Sequence, residues 1–321
     1  MMLEIKDLSI EFNGFRGPLK VLDHVNLSVD RGEIVGIVGE SGSGKSVTAL
    51  SILGLLDKNA KIASGSITYM NRNLLALTKK EKQNYRGEKI GMVFQEPMTA
   101  LHPTMKIGKQ LAAVIRRHRH VKKAEAKQLA IQALDDVRIN NPKEVAKKYP
   151  FQLSGGMRQR VVIALAMAGP PELLLADEPT TALDVTIQYE ILNLLKILNK
   201  EKSVSVIFIT HDLGVVSQLC HRTFVMYAGQ IVESGQTRDL MDHPQHPYTK
   251  ALLEALPDLK HPDEPLKAIG GEVIDLRRRP EGCAFAPRCP YKMAICQVRS
   301  PDPVKMEEDH VVSCWLRRGC N

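Results

Sequence analysis

Residues 3–10 (LEIKDLSI) and 21–29 (VLDHVNLSV) alternate apolar and polar side chains. A period of two puts alternate residues on one face, so both read as half-buried antiparallel strands. Residues 34–38 (IVGIV) are apolar without a break and run into 39-GESGSGKS-46. An unbroken apolar run of this length predicts a parallel strand covered on both faces. From Ser46, SVTALSILGLL returns to helical spacing, so the unit is strand, glycine loop, helix. Residues 66–70 and 90–94 read as further strands. Residues 107–148 read as helical, with an apolar stripe through Leu129, Ile131, Ala133, Leu134 and Val137. A helix over 157–168 precedes the buried strand 173-LLLAD-177; a helix over 184–199 precedes the strand 204–210; and 224–234 reads as a hairpin turning at Ala228-Gly229. Beyond about 255 the chain is rich in Pro and Arg and has no strong periodicity, which predicts a separate module.

The glycine loop is where chemistry enters. It fits G-x-x-x-x-G-K-[ST] through Gly39, Gly44, Lys45 and Ser46. Bare backbone at Gly39, Gly42 and Gly44 lets successive N–H groups of the loop, those of Ser41 and Ser43 included, face phosphate oxygens, and the following helix start adds partial positive charge. Lys45 is placed to reach the β- and γ-phosphates and Ser46 to ligate Mg²⁺. A carboxylate at the end of another buried strand should complete such a site. LLLADE supplies two: Asp177 for the Mg²⁺ shell and Glu178 to polarise a water. A second phosphate-facing helix start then appears at 153-LSGGMRQR-160, with Ser154, Gly155 and Gly156. One nucleotide has one γ-phosphate, so the second start is assigned to a nucleotide held by a partner subunit.

Composition bounds this picture without redirecting it. The chain has 321 residues, 44% apolar and 25% charged, which suits a folded protein with a large core. The formal charge of +8 permits anionic partners without choosing among them. Aromatics are only 5%, against a base-stacking platform. No stretch reaches about 18 uncharged apolar residues, and the first ten residues carry acids where a signal peptide is basic. A cytosolic chain that meets a membrane through partners is expected. The basic run 116-RRHRHVKK-123 reads as a solvated helix face, with a permease or lipid contact as the runner-up.

Together these motifs resemble ATP-binding-cassette (ABC) ATPases over roughly residues 3–255: the glycine loop, the LSGGxxQ signature from Leu153 to Gln159 and LLLADEP occur in that family's order. The resemblance implies an α/β P-loop NTPase core with an antiparallel β subdomain, an α-helical subdomain at about 96–165, and a cysteine-rich extension over 256–321. It implies catalytic roles for Lys45, Glu178 and His211. It makes Gln95 in FQEP a Mg²⁺-sensing glutamine beside Ser46 and Asp177, and gives Asp184 in ALD a role across a dimer. Ser154, Gly155, Gly156 and Gln159 become nucleotide contacts. Phe12, with Phe15 next, becomes the residue that stacks on adenine. Segments such as FQEPMTALHPT, ADEPTTALDVTIQ, THDLGVVSQLC and 244-PQHPYTKALLEALP-257 further resemble the peptide and nickel importer ATPases. That implies an ATPase subunit, peripheral on the cytoplasmic face of a bacterial cell membrane. Its expected partners are a second homologous ATPase, two permeases and an extracytoplasmic binding protein, and no nucleic acid. Cargo is expected to be a di- or oligopeptide, with nickel chelates, D-amino-acid dipeptides and antimicrobial peptides as alternatives.

Five of six cysteines lie in the last 39 residues. The spacing Cys283-x5-Cys289-x6-Cys296-x17-Cys314 matches neither paired zinc knuckles nor the usual ferredoxin spacings, and leaves metal binding and plain thiols both open. The importer resemblance favours a [4Fe–4S] cluster on these four, with zinc or reduced thiols as alternatives and Arg277, Arg278, Arg279 and Arg288 offsetting its charge. Cys220 and Cys320 read as non-ligands.

Two rival classes are disfavoured. An ABC ATPase acting on nucleic acid usually has a coiled-coil insertion or two cassettes in one chain, and this sequence has one cassette and no heptad run. A P-loop kinase or GTPase has no use for LSGGMRQR, and a guanine-reading NKxD is absent.

Overall fold

The computed structural model describes residues 1–14, 17–181, 183–256, 268–306 and 309–317. The chain divides into two compact units: Met1–Val29, Ile34–Leu75 and Thr210–Asn321 in the first, Asp30–Glu33 and Ala76–Ile209 in the second.

In the first unit, Leu3–Gly14 pairs antiparallel with Gly17–Val29 on one side and Ala60–Tyr69 on the other. Both outer strands begin or end beyond the stretches the alternation marks. Leu3, Ile5, Leu8, Ile10, Leu22, Val25, Leu27 and Val29 form the buried face. A second group of strands runs Ile34–Val38, Arg222–Tyr227, Gln230–Gln236 in neighbouring order. Ile34–Val38 is buried at all five positions and pairs parallel with Arg222–Tyr227, as its unbroken apolar run predicts. The hairpin turns at Ala228-Gly229, both at positive φ (46° and 81°).

The tail is not a separate module. Val311–Val312 pairs antiparallel with Gln230–Gln236, and Val304–Lys305 pairs with Val311–Val312. A buried carboxylate fastens the same place. Glu233, 1% exposed, accepts from His310 Nε2 at 2.7 Å, Gln245 N at 2.6 Å and His246 N at 2.9 Å. Two-residue strands carry no readable period, so their pairing with the sheet is invisible in the sequence.

In the second unit, Ile90–Val93, Leu173–Asp177 and Ser205–Thr210 pair parallel in that order. The helical stretch is broken into Ile107–Arg119, Lys123–Asp136 and Pro142–Val145 by left-handed residues at His120 (φ 53°) and Asn141 (φ 55°). The buried line of Lys123–Asp136 runs through Ala126, Ala130 and Leu134 rather than through Leu129, Ile131 and Ala133. A spacing of four along small side chains lets this helix lie close to its neighbours.

Candidate nucleotide-binding site

The glycine loop lies in the first unit, at the end of Ile34–Val38 and the start of helix Lys45–Leu53. Two of its glycines are dictated by space. A Cβ on Gly39 would stand 2.1 Å from the Met226 carbonyl oxygen. Gly44 sits at φ +104°, where a Cβ would meet Leu22 at 2.7 Å. No side chain caps the helix start, and the positive end of the helix dipole lies at the loop. Lys45 is buried, and its Nζ donates to the carbonyl oxygens of Gly39 at 2.7 Å and Glu40 at 2.9 Å. The Ser43 hydroxyl is buried with no hydrogen-bond partner. An orphaned hydroxyl beside a buried ammonium and uncapped N–H groups is the donor set a phosphate requires. Ser41 and Gly42 are exposed, and Ser46 is half-buried in the first turn.

His211, also in this unit, is exposed directly before Asp212, which caps the helix Leu213–Leu219 by accepting from Gly214 N at 2.7 Å and Val215 N at 3.2 Å. Phe12 is half-buried in the antiparallel sheet, opposite Leu19 and Ala60. Phe15 lies outside the described residues, as does Cys320.

The second unit brings together the strand-end acids and the glutamine. Asp177 is buried as the last residue of Leu173–Asp177. Glu178 follows at φ 45°, a left-handed conformation costly for a residue other than glycine. Its carboxylate accepts from Thr181 Oγ1 at 2.8 Å and from the exposed Gln95 Nε2 at 3.2 Å. The backbone strain and the two donors aim one carboxylate in one direction. Gln95 and Asp177 each carry a hard oxygen donor of the kind Mg²⁺ prefers, as Ser46 does in the first unit.

The signature is in the same unit. Ser154 caps Gly155–Met167 through Met157 N at 3.3 Å, and Ser154 and Gly155 are exposed. Gly156 is buried against Ile187, where a Cβ would come within 2.8 Å of its Cγ2. Gln159 is 1% exposed, with its Nε2 unpartnered. The surface of this helix start is therefore Ser154 and Gly155, while Gly156 and Gln159 support it from beneath. Asp184 caps Val185–Lys202 through Ile187 N at 3.0 Å.

Three of the four arginines expected to offset a cluster pair with carboxylates, although Arg279 also feels the charge of Cys283. Arg277 pairs with Asp275 at 2.8 Å, Arg279 with Asp23 at 3.1 Å and Arg288 with Glu40 at 2.7 Å. Tail composition alone does not show that carboxylates take these guanidiniums. The four tail cysteines do converge: Cys283, Cys289, Cys296 and Cys314 line one cavity with Phe285 and Trp315. Burial pushes the Cys283 thiol up to about 11 and raises Cys289 and Cys314 as well, so all three rest as thiols at neutral pH. Among the described residues, no group of three or more His, Cys, Asp or Glu is arranged to hold a metal ion. Cys220 is buried just past the helix Leu213–Leu219, beside Gly36, and is not among the residues lining this cavity.

Comparison with known proteins agrees with this geometry. The family "ABC transporter" matches residues 22–181, and "Oligopeptide/dipeptide transporter, C-terminal region" matches 232–296. The chain is 48% identical over 317 residues to the oligopeptide transport ATP-binding protein OppD of Bacillus subtilis, covering 98% of this chain and 88% of that one. It is 46% identical over 315 residues to the probable D,D-dipeptide transport ATP-binding protein DdpD of Escherichia coli, covering 98% and 96%. A dimeric ATP-binding cassette solved in a post-hydrolysis state with ADP and Pi matches at TM-score 0.65 and 33% identity, covering 74% of this chain and 99% of that one. The tail beyond the cassette is thus shared with peptide-transport relatives. Cassette, tail and near full-length identity lead to one assignment: the chain belongs to the ATP-binding subunits of ABC transporters, in the oligopeptide/dipeptide branch, and is an ATPase.

Proposed function

We propose that this chain binds and hydrolyses ATP to energise uptake of di- or oligopeptides across a bacterial cell membrane. It works peripherally on the cytoplasmic face, and among the described residues no helix is long and apolar enough to cross a membrane. Its partners are a second homologous ATPase, two permeases and an extracytoplasmic binding protein. Residues 1–255 serve as the ATPase and 256–321 as its extension. The observation that carries the reading is the presence of two phosphate-facing helix starts in one chain: Lys45–Leu53 behind the glycine loop, and Gly155–Met167 with Ser154 and Gly155 exposed. The second has no task on the chain's own γ-phosphate and suits the nucleotide of a facing subunit.

In this reading the loop N–H groups, Ser43 and Lys45 bind the phosphates, and His211 contacts the γ-phosphate. Glu178 accepts the proton of the attacking water, which its Thr181 and Gln95 contacts orient it to do. Ser46, Gln95 and Asp177 would hold Mg²⁺, which supplies charge neutralisation on the β- and γ-phosphates. Phe12 stacks on adenine and Asp184 acts across the dimer. The test is uptake of labelled dipeptides, oligopeptides and nickel by cells lacking this chain, with and without the chain restored. Restored peptide uptake supports the reading. Restored nickel uptake alone replaces the cargo and leaves the ATPase assignment standing.

The tail cysteines support a further assignment, a [4Fe–4S] cluster on Cys283, Cys289, Cys296 and Cys314. A single ion needs its ligands to meet at about 2.3 Å from one point. A cluster asks for four thiolates spread around a larger body, which suits four cysteines lining one apolar-walled cavity. When bound it supplies a staple across the tail and a redox centre. Absorbance near 400 nm and iron content of anaerobically purified protein decide it; their absence returns the four residues to plain thiols.

A further inference from the structure

Glu40, the second residue of the glycine loop, is held through three of its groups. Its carbonyl oxygen accepts from Lys45 Nζ at 2.9 Å. Its N–H donates to Tyr248 Oη at 2.9 Å. Its carboxylate takes both arms of one guanidinium, Arg288 Nη1 to Oε2 at 2.7 Å and Nη2 to Oε1 at 3.1 Å. Arg288 is fixed from behind as well. Its Nε donates to the Gly270 carbonyl oxygen at 2.9 Å, and its guanidinium lies over the rings of Tyr227 and Phe285 at 5.9 and 6.0 Å. Its side chain is 3% exposed. All of these residues belong to the first unit.

Two consequences follow from charge and shape. A two-armed guanidinium–carboxylate contact fixes orientation as well as distance, which a lysine could not do. And a carboxylate in a loop meant for triphosphate would repel it unless neutralised. Buried ion pairs add little net stability, because desolvation offsets their attraction. A pair at this place therefore makes better sense as a device for the loop than as a fastener for the fold.

We propose that Arg288 and Tyr248 are positioning residues of the nucleotide site. They hold Glu40, and through it the Lys45 ammonium, in phosphate-binding geometry, and Arg288 cancels the loop's own negative charge. The extension then belongs to the nucleotide site. This rests on the reading that the glycine loop binds ATP.

The test uses the full chain assembled with its permeases and partner ATPase, and follows turnover against MgATP concentration. Arg288→Gln raises KM for ATP about tenfold, the worth of one charge-assisted contact, and lowers kcat far less. Adding Glu40→Gln to Arg288→Gln recovers part of that loss, because the unneutralised carboxylate is gone. Arg288→Lys restores the charge without the fork and falls between. Should Arg288→Gln fail to fold, Tyr248→Phe, which removes one hydroxyl, carries the test with a several-fold rise in KM. Wild-type KM in both Arg288→Gln and Tyr248→Phe overturns the inference, as does a double variant whose losses simply multiply. Lys45→Ala separates the two levels. If it keeps wild-type ATP binding, the parent reading fails; if it loses binding while Arg288→Gln does not, only this inference fails.

Discussion

Lys45 Nζ donates to the Gly39 carbonyl oxygen at 2.7 Å, six residues back in the same loop. The lysine is 5% exposed, and backbone carbonyls help to solvate its buried charge, a role an incoming anion would strengthen. Phosphate is that anion. Lys45→Ala is expected to weaken ATP binding by roughly a hundredfold or more, the range for losing a buried charge-assisted contact. Equilibrium titration with ATP checks this; unchanged affinity would remove the ammonium from the site.

The loop's shape is set by its neighbours as much as by its ligand. Gly39→Ala would force a Cβ to 2.1 Å from the Met226 carbonyl oxygen, backbone that cannot step aside. Gly42, at φ +77°, has nothing within 4 Å of where its Cβ would be. Gly42→Ala should cost about 1 kcal/mol from backbone strain alone, and Gly39→Ala several times that. Thermal unfolding of the two variants ranks them, and equal losses would contradict the packing argument.

Much of this was legible in the sequence, and the rest was not, for a common reason. The strand Ile34–Val38, the loop after it and the acids ending Leu173–Asp177 are local patterns: an apolar run, bare backbone, charge at a strand end. The Glu40 contacts join residues 208 and 248 positions apart in the chain. Arg288 looked like one of several tail arginines free to serve a cluster, because no local rule says that a carboxylate in the glycine loop claims it. The tail read as separate for the same reason: Val311–Val312 is too short to show a period, and its partner Glu233 sits in a strand read only as half of a hairpin.

That tail attachment has its own test. Glu233→Ala leaves His310 Nε2 and the N–H groups of Gln245 and His246 without their buried acceptor. Stranding donors in this way should cost about 3 kcal/mol or more. Urea unfolding gives the number, and a loss under about 0.5 kcal/mol, the range of ordinary surface changes, would mean that the carboxylate does not fasten the tail.

Acid sensitivity should arise at His246, one of the donors to that carboxylate. Burial holds His246 down at about 4 from an ordinary 6.5, with the Glu233 charge acting in the opposite direction. Its Nδ1 accepts from Tyr248 N at 3.0 Å, a role only the neutral ring can fill. Between pH 6.5 and 4 the unfolded chain takes up a proton here that the folded chain refuses. Stability from this group is therefore complete above about pH 6.5 and falls as pH drops toward 4, by up to roughly 3 kcal/mol. His246→Asn keeps an acceptor at the helix start and should flatten that slope. The same slope in wild type and variant would place the acid sensitivity elsewhere.

The central claim is that this chain hydrolyses ATP with Glu178 as the group that activates water, held by Thr181 and Gln95. The most direct measurement is ATPase turnover of the assembled transporter, wild type against Glu178→Gln in this chain, with bound nucleotide measured on the same samples. The account predicts that turnover falls at least about a hundredfold while ATP stays bound, as expected when a general base is lost but the phosphate cradle is intact. Turnover within about twofold of wild type would contradict it and leave the glycine loop as a binding site whose partner does the chemistry.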